Sequence, residues 1–126
     1  MPNEKPRVGQ LYSPYDQWRM HGGSQQHMLP EKDGRITLIR FHPGRRNPGA
    51  PHILDHGNQY RLEERVEMLS RQDEALPVYK FVAHDSWEHI GCFRVTQITD
   101  DPQETTKRSE VCGRPIRYVL RLEPAG

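Results

Sequence analysis

The sequence predicts a small α+β domain on a curved, mostly antiparallel sheet or partial barrel, with two or three short helices. Three observations lead there. The apolar residues fall in short blocks rich in β-branched side chains, separated mostly by turns rather than regular helical crossovers, which argues against a doubly wound parallel sheet. Ten glycines and eleven prolines make up about one residue in six, above the usual one in eight or so, which argues against a helical bundle. Only 33% of the 126 residues are hydrophobic while the formal net charge is +1. Disorder needs low hydrophobicity together with high net charge, so the expectation is a folded chain with a small core and long loops.

Residues 1–8 read as a flexible lead-in, and 9–126 as one domain. Ser13-Pro14 followed by Gly22-Gly23 supplies a cap, a first-turn proline and a stop, placing a helix over about 14–21. Residues 24–30 form a polar loop, and Asp33-Gly34 is a turn signal. Arg35 to His42 is the first clear strand. Pro43 to Pro51 is a proline-rich loop, and His52 to Asp55 a short strand. Over 60–72, Leu62, Val66 and Leu69 recur at i, i+4 and i+7, one stripe of an amphipathic helix. Pro77 to His84 is a second strong strand. Trp87 to Ile98 is a third, paired with it as a hairpin across Asp85-Ser86. Residues 100–113 are polar with room for a short helical turn, and Arg114 to Leu122 is the last strand.

Several function classes are disfavoured. No run approaches the roughly 18 apolar residues of a membrane span, so no membrane partner is expected. The N-terminus lacks the apolar segment of a signal peptide. Cys92 and Cys112 make neither a disulfide framework nor a metal knuckle, and the expected location is cytoplasmic. Seven histidines include no HExxH pair, and His52 and His56 lie in a strand and turn where a spacing of four does not share a face. No metal or cofactor is expected. There is no GxSxG, no paired-carboxylate nuclease pattern and no HNH signature, so the chain reads as non-catalytic.

The charge is uneven. Residues 34–54 hold Arg35, Arg40, Arg45 and Arg46 with no acid, a pattern suited to phosphate contacts and also to a solvated strand edge. Lys107, Arg108, Arg114, Arg117 and Arg121 form a second basic cluster, and Glu63, Glu64 and Glu67 on the 60–72 helix balance the total. The Gly22-Gly23-Ser24-Gln25-Gln26 loop combines glycines that permit close backbone approach with side chains that donate and accept hydrogen bonds. It reads either as a nucleotide-contacting loop or as a helix cap followed by polar chain. Tyr12 and Tyr15 flank it as stacking candidates. Trp87, at a strand start, either fills the core or stacks on a base.

Two series of residues carry a resemblance. One runs through Gly9-Gln10-Leu11-Tyr12, His21-Gly22-Gly23-Ser24-Gln25-Gln26, Leu29-Pro30, Asp33-Gly34-Arg35 and Asn47-Pro48-Gly49-Ala50-Pro51. The other runs through Pro77-Val78-Tyr79-Lys80-Phe81, Trp87 to Val95 and Arg117 to Leu122. Together they resemble the SRA-like modules of bacterial modification-dependent restriction systems, often fused to or encoded near HNH nucleases. The resemblance spans most of residues 9–122 and implies a PUA-like fold. It also implies a reader of modified double-stranded DNA that extrudes a nucleotide into a concave pocket. Under it, Arg45 and Arg46 contact phosphate, and Asn47 belongs to the nucleic-acid-binding set. Gly22, Gly23, Ser24, Gln25 and Gln26 approach the nucleotide, and Tyr12, Tyr15 or Trp87 stacks on the base. An HNH-type nuclease is the implied partner. The Tyr-Asp-Gly signature of the eukaryotic methylcytosine readers is absent. That leaves hydroxymethylcytosine, methylated adenine and a sulfur-modified backbone open. The alternatives are a PUA-like RNA-binding module and a protein-interaction accessory domain.

Overall fold

The computed structural model describes residues 5–125. Of the lead-in expected over 1–8, residues 1–4 lie outside the described residues. From Gly9 the chain is tied down, because Gly9 N donates to His89 O and His89 N donates to Gln10 O.

Strand β1 (Leu11–Tyr12) leads into α1 (Pro14–His21). Ser13 and Asp16 form a reciprocal capping box, Pro14 opens the helix and Gly22 closes it, as the sequence signals require. The strand expected over 35–42 is split. β2 (Glu31–Lys32) and β3 (Arg35–Ile36) form a separate two-stranded hairpin, whereas β4 (Ile39–Phe41) belongs to the main sheet. Asp33 and Gly34 both have positive φ, the geometry of a tight two-residue hairpin turn. The chain leaves the hairpin at Thr37, whose N donates to Pro30 O and whose Oγ1 donates to Gly22 O. Those bonds take the place of a continuous ladder.

After a 3-10 turn at Gly44–Arg46 come β5 (Ile53–His56), α2 (Leu62–Ser70), β6 (Leu76–Ala83) and β7 (Ser86–Thr99). α2 starts at the first residue of its apolar stripe, Leu62, two residues inside the expected span 60–72, because Arg61 is left-handed. The hairpin turn between β6 and β7 is His84-Asp85, one residue earlier than expected, with Asp85 at positive φ. The polar stretch 100–113 holds a full helix, α3 (Pro102–Cys112), rather than a short turn. Asp101 caps it, Pro102 opens it and Gly113 ends it in the left-handed conformation. The last strand, β8 (Tyr118–Pro124), begins later than the sequence suggests.

The six-stranded sheet runs β4-β6-β7-β8-β5, with β1 beside β7. Only β4 and β6 are parallel; the other pairs are antiparallel. Register shifts occur between Val78 and Tyr79, Phe81 and Ala83, and Val95 and Gln97. Extra residues of this kind bend and twist a strand, and Gly91, at φ 123° opposite the first of them, takes a conformation that side chains resist. The result is a curved, open sheet whose edges are β4 and β5. This is the expected α+β architecture, with three helices.

Alternation along the strands sends side chains to two cores. Ile39, Phe41, Leu76 and Val78 join Leu54, Leu120 and the α2 stripe Leu62, Val66 and Leu69 in the larger one. Leu38, Tyr79 and Trp87 form the smaller one, with Tyr12, Met28 and Phe81 packed against it. Among the described residues no helix is long and apolar enough to cross a membrane.

Candidate nucleotide-binding cavity

A cavity of about 750 Å³ lies in the seam between the two open edges of the sheet. Arg40, Phe41 and His42 wall it from the β4 side, Asp55 and His56 from β5, and Gly57 to Tyr60 from the loop that follows. Arg65 of α2, Arg114, Ser24, His27 and Met28 also line it. Asn47 spans the seam: its Nδ2 donates to His42 O at 2.8 Å and its Oδ1 accepts from Asp55 N at 2.8 Å. One side chain thus satisfies backbone groups of both edges, which holds the gap at a fixed width.

Arg40 is the least ordinary residue of the wall. It is 1% exposed, and strand alternation explains why: Ile39 and Phe41 enter the larger core, so Arg40 faces the other side with Leu38. Its Nε donates to Gln17 Oε1 at 2.6 Å, and its Nη1 donates to the carbonyls of Ser24 and His27 at 3.0 and 2.8 Å. Burial pushes its pKa down to about 10, which still leaves it charged at neutral pH. All its partners are neutral, and its Nη2 has none. Buried charges are ordinarily paired.

The other cavity arginines repeat the pattern. Among the described residues Arg46, Arg65 and Arg114 also lack a carboxylate partner, whereas Arg35, Arg61, Arg71, Arg94, Arg108, Arg117 and Arg121, outside the wall, each have one. The one carboxylate in the wall, Asp55, is taken bidentately by Arg108 at 2.8 and 2.9 Å. Arg65 donates to Leu29 O, and Arg114 to the carbonyls of Arg46 and Asp55. Three members of the second basic cluster, Arg108, Arg117 and Arg121, are therefore spent on internal ion pairs, whereas every arginine of the wall lacks a carboxylate partner among the described residues; Arg7, Arg19 and Arg45, outside it, lack one too.

The histidines of the wall add hydrogen-bonding capacity without charge at neutral pH. Burial lowers His27, His42 and His56, the last to about 4. His27 Nε2 donates to Tyr60 O at 2.6 Å and its Nδ1 accepts from Leu29 N, which fixes its tautomer. His56 Nδ1 lies 2.7 Å from Gln59 Nε2, while His56 Nε2 and Gln59 Oε1 are buried without partners. If Gln59 Nε2 donates, His56 Nε2 carries the remaining hydrogen and Gln59 Oε1 is a free acceptor. Reversing the amide exchanges the two roles. Either way the pair offers one donor and one acceptor.

Four residues singled out in the sequence meet at this cavity: Ser24, Gln26, Arg46 and Asn47. The others stand elsewhere. Gly22 and Gly23 pack against the chain's own hairpin, since a Cβ on either would come within 2.6–2.8 Å of Lys32, Pro30 or Thr37. Gln25 and Arg45 are exposed outside the wall. Tyr12 packs edge-on to Tyr79 at 6.0 Å. Tyr15 is exposed, with its ring against Trp18 at 5.6 Å. Trp87, 7% exposed, meets Phe81 and His42 edge-on. The acid-free arginine patch of the sequence already holds Arg40, and the second basic cluster holds Arg114; His27, His56, Gln59, Tyr60 and Arg65 are not expected in a binding site from the sequence. The signal that sets Arg40 apart from the rest of its patch is its place between two core residues of a strand.

The fold has solved counterparts. The Type IV phosphorothioation-dependent restriction endonuclease ScoMcrA superposes on 95% of this chain with a TM-score of 0.54 and 16% identity. The sulfur binding domain and SRA domain of ScoMcrA, solved in complex with phosphorothioated DNA, superpose on 95% with a TM-score of 0.55 and 14% identity. This is an SRA-like fold. The chain spans 26% and 40% of the length of those two structures. No protein-family model matches the chain, and no curated protein sequence matches it.

Proposed function

We propose that this chain is a non-catalytic module that binds double-stranded DNA and reads a modified nucleotide, serving as the sensor of a restriction or defence system in the cytoplasm. The observation that carries this reading is the seam cavity, whose four arginines lack carboxylate partners among the described residues. Its volume falls inside the roughly 300–1,000 Å³ typical of small-ligand sites, enough for a nucleotide swung out of the duplex. Extrusion costs only a few kcal/mol and allows the base to be read in a closed pocket. The SRA-like fold supports the same assignment, and a separate nuclease, of HNH type or another, would make the cut.

The parts divide by chemistry. Arg46 lines the cavity and Arg45 stands exposed beside it in the 3-10 turn; both meet backbone phosphates. Tyr60, 77% exposed and part of the wall, is the ring available to stack on the base. The His56–Gln59 pair, buried in the same wall, leaves one donor and one acceptor without internal partners, the kind of groups a base edge pairs with. Ser24 and Gln26 border the entry.

A binding panel tests the reading. One fixed duplex carries cytosine, adenine or backbone phosphorothioate modifications in turn, beside the plain duplex. At least one modified duplex should bind ten-fold or more tighter than the plain one. Equal binding across the panel overturns the reading. Preference for single-stranded or hairpin RNA in competition would favour an RNA-binding module instead.

A further inference from the structure

The wall of the cavity holds a charge that the protein itself does not balance. Arg40 is 1% exposed, its three hydrogen-bond acceptors are an amide and two backbone carbonyls, and Nη2 has no partner. Neutral acceptors orient a guanidinium but do not cancel its charge. Nothing nearby does so either. His21 and His27 are uncharged at neutral pH, and Tyr79 is held protonated by burial. Arg46, Arg65 and Arg114 add to the positive charge, and Arg114 Nε is a second buried donor without a partner. Asp55 is engaged by Arg108. Arg40 Nη2 and Arg114 Nε are both buried in this wall without a partner, and an anion in the cavity would offset the charge they carry. The cavity, at about 750 Å³, is far larger than a bare oxyanion, so the anion belongs to a larger molecule whose remainder meets Phe41, Met28 and the His56–Gln59 pair.

We propose that the cavity takes its ligand through an anionic group, which seats against Arg40 and is steadied by Arg65 and Arg114. This deepens the reading of the seam as a nucleotide site and rests on it. It adds that the occupant enters charged end inward, rather than as a neutral base with its phosphates left outside. Two sources share this chemistry: the phosphate of the nucleotide, and an acidic substituent on the base. Arg40 is then the residue that separates a charged occupant from a neutral one. Its burial also keeps it from attracting phosphates at the surface, so it acts only on a group that has entered.

The test uses the full chain, thermal denaturation and titration calorimetry. The probes are the four deoxynucleosides, their 5′-monophosphates, and 5-carboxy-2′-deoxycytidine, whose charge lies on the base. At least one anionic probe should bind ten-fold or more tighter than its neutral counterpart, and that difference should shrink as salt rises. Success with a monophosphate identifies the phosphate as the source; success with the carboxylated nucleoside alone identifies an acidic base. Arg40→Met should reduce the preference to less than about three-fold, with Arg65→Met as the companion variant if Arg40→Met does not fold. Equal binding of charged and neutral probes by the wild-type chain overturns the proposal, as does failure of every probe to bind or to raise the Tm at millimolar concentration. The two readings fail separately. A duplex panel without discrimination, together with preferential binding of anionic probes, removes the modified-DNA reader and leaves the anion site. Discrimination among duplexes with no charge preference does the reverse.

Discussion

His56 is buried, neutral at pH 7 and half satisfied, and those three properties make its titration visible in folding. Burial is the main reason its pKa falls from 6.5 to about 4. The unfolded chain therefore binds a proton near pH 6.5 that the folded chain refuses until about pH 4. Stability from this group is full above 6.5 and is lost as pH falls from there through 4, at up to about 1.4 kcal/mol per pH unit. His56→Gln should flatten urea-midpoint against pH over that window while leaving the curve above pH 7 parallel to wild type. An unchanged slope would mean that His56 is not held neutral. Trp87 gives a contrasting residue-level expectation. It packs with Leu38 and Tyr79 in the smaller core, so Trp87→Ala should cost about 3–5 kcal/mol in urea unfolding. Tyr15 is 53% exposed, and Tyr15→Ala should stay within about 0.5 kcal/mol.

α3 is an element with no buried residue, so its attachment to the sheet is polar. Arg108 reaches the Asp55 carboxylate on β5, Cys112 Sγ donates to the same group at 3.3 Å, and Ser109 Oγ accepts from Ile116 N. The Asp55 side chain is 0% exposed and that of Arg108 16%. Removing one member of such a pair strands the other charge, which costs about 3–5 kcal/mol. Arg108→Ala should show that loss in urea unfolding, and adding Asp55→Asn should recover part of it. A double variant no more stable than the single one would assign the loss to something other than stranded charge. The same helix shows which elements the sequence discloses. α1 and α2 announce themselves by caps or by an apolar stripe. α3 has start and stop residues but no stripe, so periodicity passes over it. The split at Thr37–Leu38 is hidden for a different reason. Residues 35–42 have one continuous β-forming composition, and only tertiary bonds to Pro30 and Gly22 divide them between two sheets.

Across the whole molecule, a net charge of +1 conceals a sorting of charge by partnership. The acid-free stretch marks the right region in the sequence, since Arg40 and Arg46 both reach the seam. It does not show that Arg35 is neutralised by Glu74, or that Arg117 and Arg121 of the second cluster are neutralised by Glu63 and Glu104. Those pairings link residues far apart in the chain, and the cavity exists only because sheet curvature brings β4 and β5 to face each other. Composition therefore carries the total charge, while the fold decides which part of it is free to act. The salt dependence of DNA binding separates the two. Each phosphate contact contributes about 0.9 to the slope of log K against log salt. Arg46→Ala with Arg65→Ala removes two unpartnered cavity cations and should lower the slope by about 1.8 if both meet phosphate. Arg71 is paired with Glu67 and lies outside the wall, so Arg71→Ala should leave the slope within about 0.3 of wild type by the same arithmetic. The check is duplex affinity by fluorescence anisotropy across a salt series for all three chains. Equal slopes for wild type and the double variant would move the DNA interface away from the seam. A loss of slope in Arg71→Ala as large as in the double variant would show that total charge, rather than the unpartnered set, governs binding.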